Sequence, residues 1–358
     1  MTKPPDAALV SVVDALGGRA RFEAPLGART TYRVGGPAAA LVEVGSQADL
    51  QAVHRALAAA EGTVPVLVVG QGSNMLVADA GFPGLVVVLG GGLAAVDVSG
   101  GAGRRGAPGL PGGHGGPGLP GGAPHGAGDG CGDRGTEPGA VAVHAGGGAR
   151  LPVVARRSAA AGLRGLEWAV GIPGSVGGAV RMNAGGHGSD IAAVLQRCWV
   201  FDLRTGRAGE RHVSDLHLGY RSSALSPDEV VVWADLRAAP GDRLAAEAAV
   251  AEVVRWRRAH QPGGANAGSV FTNPAGDAAG RLVEEAGLKG MRIGTARVSP
   301  KHANFVQADP GGTAADVRRV IAHVRAEVER RTGVVLQTEV KLVGFAAGDE
   351  LAVGTGQP

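Results

Sequence analysis

Two glycine-rich segments carry the most visible chemistry of this chain. The first, Gly70-Gln71-Gly72-Ser73-Asn74, directly follows the apolar run VPVLVV at 64–69. Glycines after a strand leave backbone N–H groups open to an anion, and Ser73 and Asn74 add side-chain donors. Such a segment can cradle a phosphate or pyrophosphate; an ordinary tight turn is the competing reading, and the fragment alone does not choose. Met75 stands where a Rossmann fingerprint needs its third glycine, no helical pattern follows, and the Gly-Lys-Ser/Thr of a P-loop is absent. The second segment, GIPGSVGGAVRMNAGG (171–186), gathers Gly171, Gly174, Gly177, Gly178, Gly185 and Gly186. Two such loops suggest a long phosphate-bearing ligand wrapped by backbone, with structural turns alone as the alternative.

The titratable candidates are less telling one at a time. Ser269 lies on a small-residue loop, Ala-Gly-Ser-Val-Phe, with no G-x-S-x-G elbow to make it a hydrolase nucleophile. Arg221, in Leu-Gly-Tyr-Arg-Ser-Ser, and Glu339, in the last strand-like run, each read singly as surface or ion-pair residues. His114, His125 and Cys131 lack metal-ligand spacing, and the sequence indicates no metal.

The elements that must position these residues are legible from periodicity. Residues 46–62 read as a helix, opened by Ser46 and Asp49 in a capping-box relation and carrying Leu50, Val53 and Leu57 on one face. Short β-branched runs at 64–70, 84–91, 93–98 and 140–148 read as strands, and 150–163 as a helix. Residues 165–190 read as a glycine-rich loop region, followed by strands at 194–202 and 230–238 and a helix near 242–259. GRLVEEAGLKG (280–290) is a short helix ending at glycine. In 313–333, Val317, Val320, Ile321, Val324 and Val328 share a helical face that Gly333 terminates. An alternating strand at 334–345 closes the pattern.

Composition bounds the class. The chain has 358 residues, 44% of them hydrophobic, with Gly 63 and Pro 21. From Gly100 to Ala123 every third residue is glycine, yet a collagen triple helix needs three chains and proline where these triplets mostly lack it. The stretch 100–139 therefore reads as a low-complexity insert in the turn between two adjacent strands. A net charge of +3, with basic residues scattered, gives no nucleic-acid footprint, and no uncharged apolar stretch is long enough to span a bilayer. Two cysteines build no disulfide framework. A cytoplasmic location is expected.

In order, TTYRVGGPA (30–38), VVGQGSNMLV (68–77), GIPGSVGGAVRMNAG (171–185), GYRSS (219–223), GSVFTNP (268–274), AGLKGMRIGTARVSPKHANF (286–305) and LQTEVKLVG (336–344) make the chain resemble the UDP-N-acetylenolpyruvoylglucosamine reductases, also called UDP-N-acetylmuramate dehydrogenases. The resemblance implies an α+β protein with the FAD-binding fold of the vanillyl-alcohol-oxidase type. It implies a first FAD-binding subdomain at 1–90, a second at 91–238 holding the insert, a substrate-binding domain at 239–333 and a tail at 346–358. The strand at 334–345 would return to the FAD-binding region and bring Glu339 to the site.

The same resemblance implies FAD as cofactor, NADPH as co-substrate and UDP-N-acetylenolpyruvoylglucosamine as the small-molecule substrate of a monomeric enzyme. Arg221, Ser269 and Glu339 would be catalytic, with Ser269 the proton donor. Gly70, Gly72, Ser73, Asn74, Gly171, Ile172, Pro173, Gly177, Asn183 and Gly185 would contact FAD. Tyr220, Arg257 and Asn273 would face substrate or NADPH. One departure stands out: Gly186-His187-Gly188 replaces the Ala-Tyr-Gly that often follows Asn-Ala-Gly in the family. Another flavin oxidase or dehydrogenase of the same fold, or a non-catalytic nucleotide-binding paralogue, remain the alternatives.

Overall fold

The computed structural model describes residues 6–99 and 139–346. Residues 100–138 of the low-complexity insert, with His114, His125 and Cys131, lie outside the described residues.

The first lobe opens with α1 (Ala7–Leu16), β1 (Ala20–Ala24), β2 (Ala38–Val44) and α2 (Gln47–Ala59), then β3 (Val66–Val69), β4 (Met75–Val77) and β5 (Phe82–Leu89). Ser46 caps α2 by accepting from Asp49 N, while Asp49 answers to Gly45 N rather than to Ser46 N. The sheet order is β1-β2-β5-β3, parallel except at the β1 edge. Strand β5 is apolar at every position from Leu85 because both faces are covered. Leu85, Val87 and Leu89 pack beneath α1 and α2, while Val86 and Val88 face Leu26, Leu41 and Met75.

The middle lobe runs through β6 (Val96–Asp97), β7 (Val141–Gly146), α3 (Leu151–Ala160), β8 (Leu163–Arg164), α4 (Val176–Arg181), the small hairpin β9 (Gly185–Gly186) and β10 (Ser189–Asp190), α5 (Ile191–Val194), β11 (Leu195–Asp202), β12 (Ala208–His212) and β13 (Glu229–Pro240). Its sheet has the order β12-β11-β13-β7-β6, with β8 joining β13. The residues flanking the insert are antiparallel neighbours, since Val96 pairs with Ala145 and Asp97 with His144. Residues 165–190, expected as loop, contain a 3-10 turn at Glu167–Gly171 and α4, which Ser175 caps through Gly178 N. Glycine content hid that helix. Strand β12 was not expected either; its five residues are mostly exposed and carry no apolar alternation.

Helix α6 (Arg243–His260) follows, then α7 (Ala279–Glu285), β14 (Arg292–Ile293), β15 (Ala296–Val298), β16 (Val306–Ala308), α8 (Ala314–Thr332) and β17 (Lys341–Val343). Ala246 and Val250 of α6 pack into the core of the middle lobe. Val317, Val320, Ile321, Val324 and Val328 of α8 are all buried, and Gly333 ends the helix in the left-handed region at φ +72°.

The final segment differs instructively from one continuous strand. Leu336, Thr338 and Val340 are buried in alternation, but only Lys341–Val343 form a ladder, parallel to Met75–Val77 of β4. Upstream, Gln337 O accepts from Thr272 N and Glu339 N donates to Val270 O. The extended chain thus changes partner in mid-course, tying segment 270–272 to the first lobe.

Candidate active site

The two glycine segments meet at their tips. Strand β3 ends at Val69, Gly72 adopts φ +58°, and β4 begins at Met75. A Cβ on Gly70 would lie 2.0 Å from Ser175 Oγ, and one on Gly174 would lie 2.9 Å from Ser73 Oγ. Ser73 Oγ donates to Pro173 O at 3.0 Å, and Arg150 Nε donates to Gln71 Oε1 at 3.1 Å. At the glycines themselves only main chain and serine side chains meet, so backbone can approach a pyrophosphate from both sides. These residues fit the expected FAD.

Two of the catalytic candidates, Arg221 and Glu339, meet beside this seam. Arg221 sits at φ +56° in a tight loop closed by a Gly219–Ser222 bridge. Asn183, buried and at φ +38°, holds that loop by donating to Gly219 O at 3.0 Å, while its Oδ1 accepts from Ala192 N at 2.9 Å. Arg221 Nη2 then reaches Gly185 O at 3.2 Å, and its Nε lies 2.7 Å from Glu339 Oε1. The buried Nε–H is not aligned on that oxygen and keeps its donor capacity. Tyr220, largely exposed, places its ring under the guanidinium at 5.2 Å.

Glu339 is fixed by main chain on both sides. Asn74 Nδ2 donates to its carbonyl at 3.1 Å, and its own N–H donates to Val270 O at 2.7 Å. Burial pushes the carboxyl pKa above the usual glutamate range; Arg221 and, more weakly, Lys341 pull it back only in part. Ser269, half-buried, follows Gly268 at φ +79° and precedes Val270, the residue whose carbonyl holds Glu339.

Other sequence-derived candidates have visible structural partners. Gly177 N donates to Gly147 O at 2.8 Å, and Asn183 is engaged as described, so both brace the shell around the seam. Arg257 donates through Nη1 to Gly171 O at 2.5 Å and through Nε to Gln261 at 2.8 Å, and burial lowers its pKa. Asn273 Oδ1 accepts from Ala279 N at 3.1 Å, at the start of α7. His187, at φ +53°, meets Trp256 edge-on with ring centroids 4.9 Å apart, and its imidazole stands where a Cβ on Gly171 would go, 2.8 Å away. Burial, followed by Arg257, lowers its pKa. Arg150 and Asn304 received no role from sequence. The only signal for Asn304 was a polar residue between apolar Ala303 and Phe305 in the KHANF block.

Comparison with known proteins agrees with this geometry. Residues 260–343 match the family model described as "UDP-N-acetylenolpyruvoylglucosamine reductase, C-terminal domain", and residues 134–208 match an FAD binding domain. The chain is 40% identical to UDP-N-acetylenolpyruvoylglucosamine reductase 2 of Symbiobacterium thermophilum, over 91% of this chain and 93% of that protein. It is 39% identical to the reductase of Rubrobacter xylanophilus, over 91% and 95% respectively. The crystal structure of the Thermus caldophilus reductase superposes with a TM-score of 0.69 at 31% identity, covering 90% of this chain and 99% of that one. The α+β architecture is that of an FAD-binding enzyme. With both glycine segments, Arg221 and Glu339 meeting inside it, the chain belongs to the UDP-N-acetylenolpyruvoylglucosamine reductase family.

Proposed function

We propose that Arg221, Ser269 and Glu339 carry out the reduction of UDP-N-acetylglucosamine enolpyruvate to UDP-N-acetylmuramate. As a member of its family the chain is an FAD-dependent, NADPH-using oxidoreductase of peptidoglycan precursor synthesis. When bound, FAD supplies the carrier that passes hydride from NADPH to the enolpyruvyl double bond. Gly70, Gly72, Ser73, Asn74, Gly171, Ile172, Pro173 and Gly185 hold it, braced by Gly177 and Asn183.

Hydride addition at C3 of the enolpyruvyl group leaves negative charge at C2, delocalised into the adjacent carboxylate. Fixed donors aimed at that carboxylate lower the barrier, because they need no reorganisation as charge develops. Arg221 supplies a permanent cation with a planar fork. Glu339, whose pKa burial raises, places beside it a carboxyl biased toward its neutral form. Ser269 delivers the proton to C2 as general acid. Tyr220, Arg257 and Asn273 face the nucleotide portions of substrate or NADPH. The observation that carries this reading is the 2.7 Å approach of Arg221 and Glu339 next to the glycine seam.

The reading includes a first FAD-binding subdomain at 1–90, to which the 334–345 segment returns, a second at 91–238 and a substrate-binding domain at 239–333; Ala246 and Val250 of α6 pack on the core of the middle lobe. No helix among the described residues is long and apolar enough to cross a membrane. The reading includes a monomer acting in the cytoplasm, where NADPH and nucleotide sugars are made; light scattering tests the monomer. The decisive assay is spectroscopic. The purified protein should be yellow, bleach with NADPH under anaerobic conditions, and recolour on adding UDP-N-acetylenolpyruvoylglucosamine. A protein that binds no FAD overturns the reading, and recolouring by oxygen alone points to another flavin oxidase of the fold.

A further inference from the structure

Asn304 is one of few buried polar residues among those described, at 4% exposure, between the buried Ala303 and Phe305. Its Oδ1 accepts from Phe271 N at 2.9 Å and its Nδ2 donates to Phe271 O at 2.8 Å. Its own carbonyl accepts from Val270 N at 2.8 Å. One residue therefore satisfies three main-chain groups of two adjacent residues, Val270 N, Phe271 N and Phe271 O. On the other side of the same peptides, Val270 O accepts from Glu339 N at 2.7 Å, and Thr272 N donates to Gln337 O.

We propose that Asn304 is a positioning residue for the proton transfer to C2, clamping the 270–271 peptides so that Ser269 and Glu339 are held to one common reference. This rests on the assignment of Ser269 and Glu339 made above. Its physical basis is that the clamp is two-handed. A buried asparagine offers a donor and an acceptor on one rigid arm, so the segment can neither slide along the final strand nor rotate about it. A leucine of similar size leaves both Phe271 groups unpaired, and a serine reaches at most one of them. Unpaired, the segment shifts to seek other partners. Catalytic geometry tolerates little of this, because a displacement near 1 Å costs on the order of 100-fold in rate.

The test uses full-length holoenzyme carrying Asn304→Leu or Asn304→Ser. Reduction by NADPH and reoxidation by the enolpyruvyl substrate are measured separately in a stopped-flow instrument, alongside FAD content and melting temperature of the FAD-free protein. The expected result is reoxidation slowed about tenfold or more, with its substrate concentration dependence unchanged and NADPH reduction close to that of the parent. A merely structural role would lower both half-reactions together or only the melting temperature, and either outcome overturns the proposal. So would loss of FAD from both variants. Ser269→Ala, run in parallel, separates the two layers. If it is slow in reoxidation while both Asn304 variants match the parent, the positioning role alone fails. If Ser269→Ala matches the parent, the underlying proton-donor assignment fails.

Discussion

Arg221 Nε stands 2.7 Å from Glu339 Oε1, both side chains less than one quarter exposed. Neither residue could reach the other from its own element. The arginine is delivered by a left-handed loop that Asn183 pins, the glutamate by a chain suspended between Asn74 and Val270. Burial favours the neutral carboxyl while the guanidinium favours the ionised one, and burial prevails. The guanidinium and a carboxyl that burial biases toward its neutral form therefore stand side by side.

Replacing the planar fork tests its role. Arg221→Lys keeps the charge but loses the reach to both Gly185 O and Glu339. Reoxidation by the enolpyruvyl substrate should fall by about 100-fold, the scale of removing one preorganised donor to a developing oxyanion. NADPH reduction, measured in the same sample, should stay within about twofold of the parent. Equal loss in both half-reactions contradicts the assignment.

The raised pKa of Glu339 has a stability consequence of definite sign. The folded protein retains a proton that the unfolded chain releases near the ordinary glutamate value of ~4.3. Its contribution is full below that value and is lost as pH rises through the native pKa. Glu339→Gln has no such loss, so its melting temperature should gain on the parent across that window and then level off. Parallel melting profiles would show that the carboxyl is not held neutral.

At the seam between the glycine loops, Gly70→Ala drives a methyl group onto Ser175 Oγ. Overpacking of this kind costs about 1–3 kcal/mol, and here it also parts the loops that hold FAD. The expectation is weaker FAD retention on dilution. Adding Ser175→Gly removes the clash at the cost of a few tenths of a kcal/mol of cap energy and should restore retention. Gly70→Ala with parent-like FAD affinity argues against the seam as the cradle.

One carboxylate of the first lobe caps the last helix. Asp79 Oδ1 and Oδ2 accept from Ala314 N and Ala315 N at 2.8 and 2.9 Å, at the N-terminus of α8. Asp79→Ala should cost about 1 kcal/mol in a denaturant titration, as for loss of a helix cap. The spectrum of bound flavin should not change, because Asp79 is not among the residues assigned to it.

Removing residues 101–138 and joining the flanks should leave FAD binding intact. Strands β6 and β7 are already antiparallel neighbours through Val96–Ala145 and Asp97–His144, so a short turn can connect them, and loop-closure entropy changes slowly with length. A deletion that folds but retains no flavin would show that the insert contributes to the site.

Much of this protein was determined by sequence alone, and the reason is local. The apolar face of α8 and its stop at Gly333, the cap of α2 at Ser46, and the buried run of β5 each follow from neighbouring residues, so periodicity reveals them. Both glycine segments were visible for the same reason, because a missing side chain is a property of one position. Helix α4 was not visible, since its glycines mask a helix that Ser175 caps and tertiary packing sustains. What the tertiary structure decided is which distant residues share a peptide or a charge. Arg221 and Glu339 look unremarkable singly and acquire chemistry only where burial and approach coincide. Asn304 reads as one polar letter in an apolar block until the fold lays it against Phe271. The final segment carries a true strand alternation, yet only the fold shows it leaving one partner for another at Glu339.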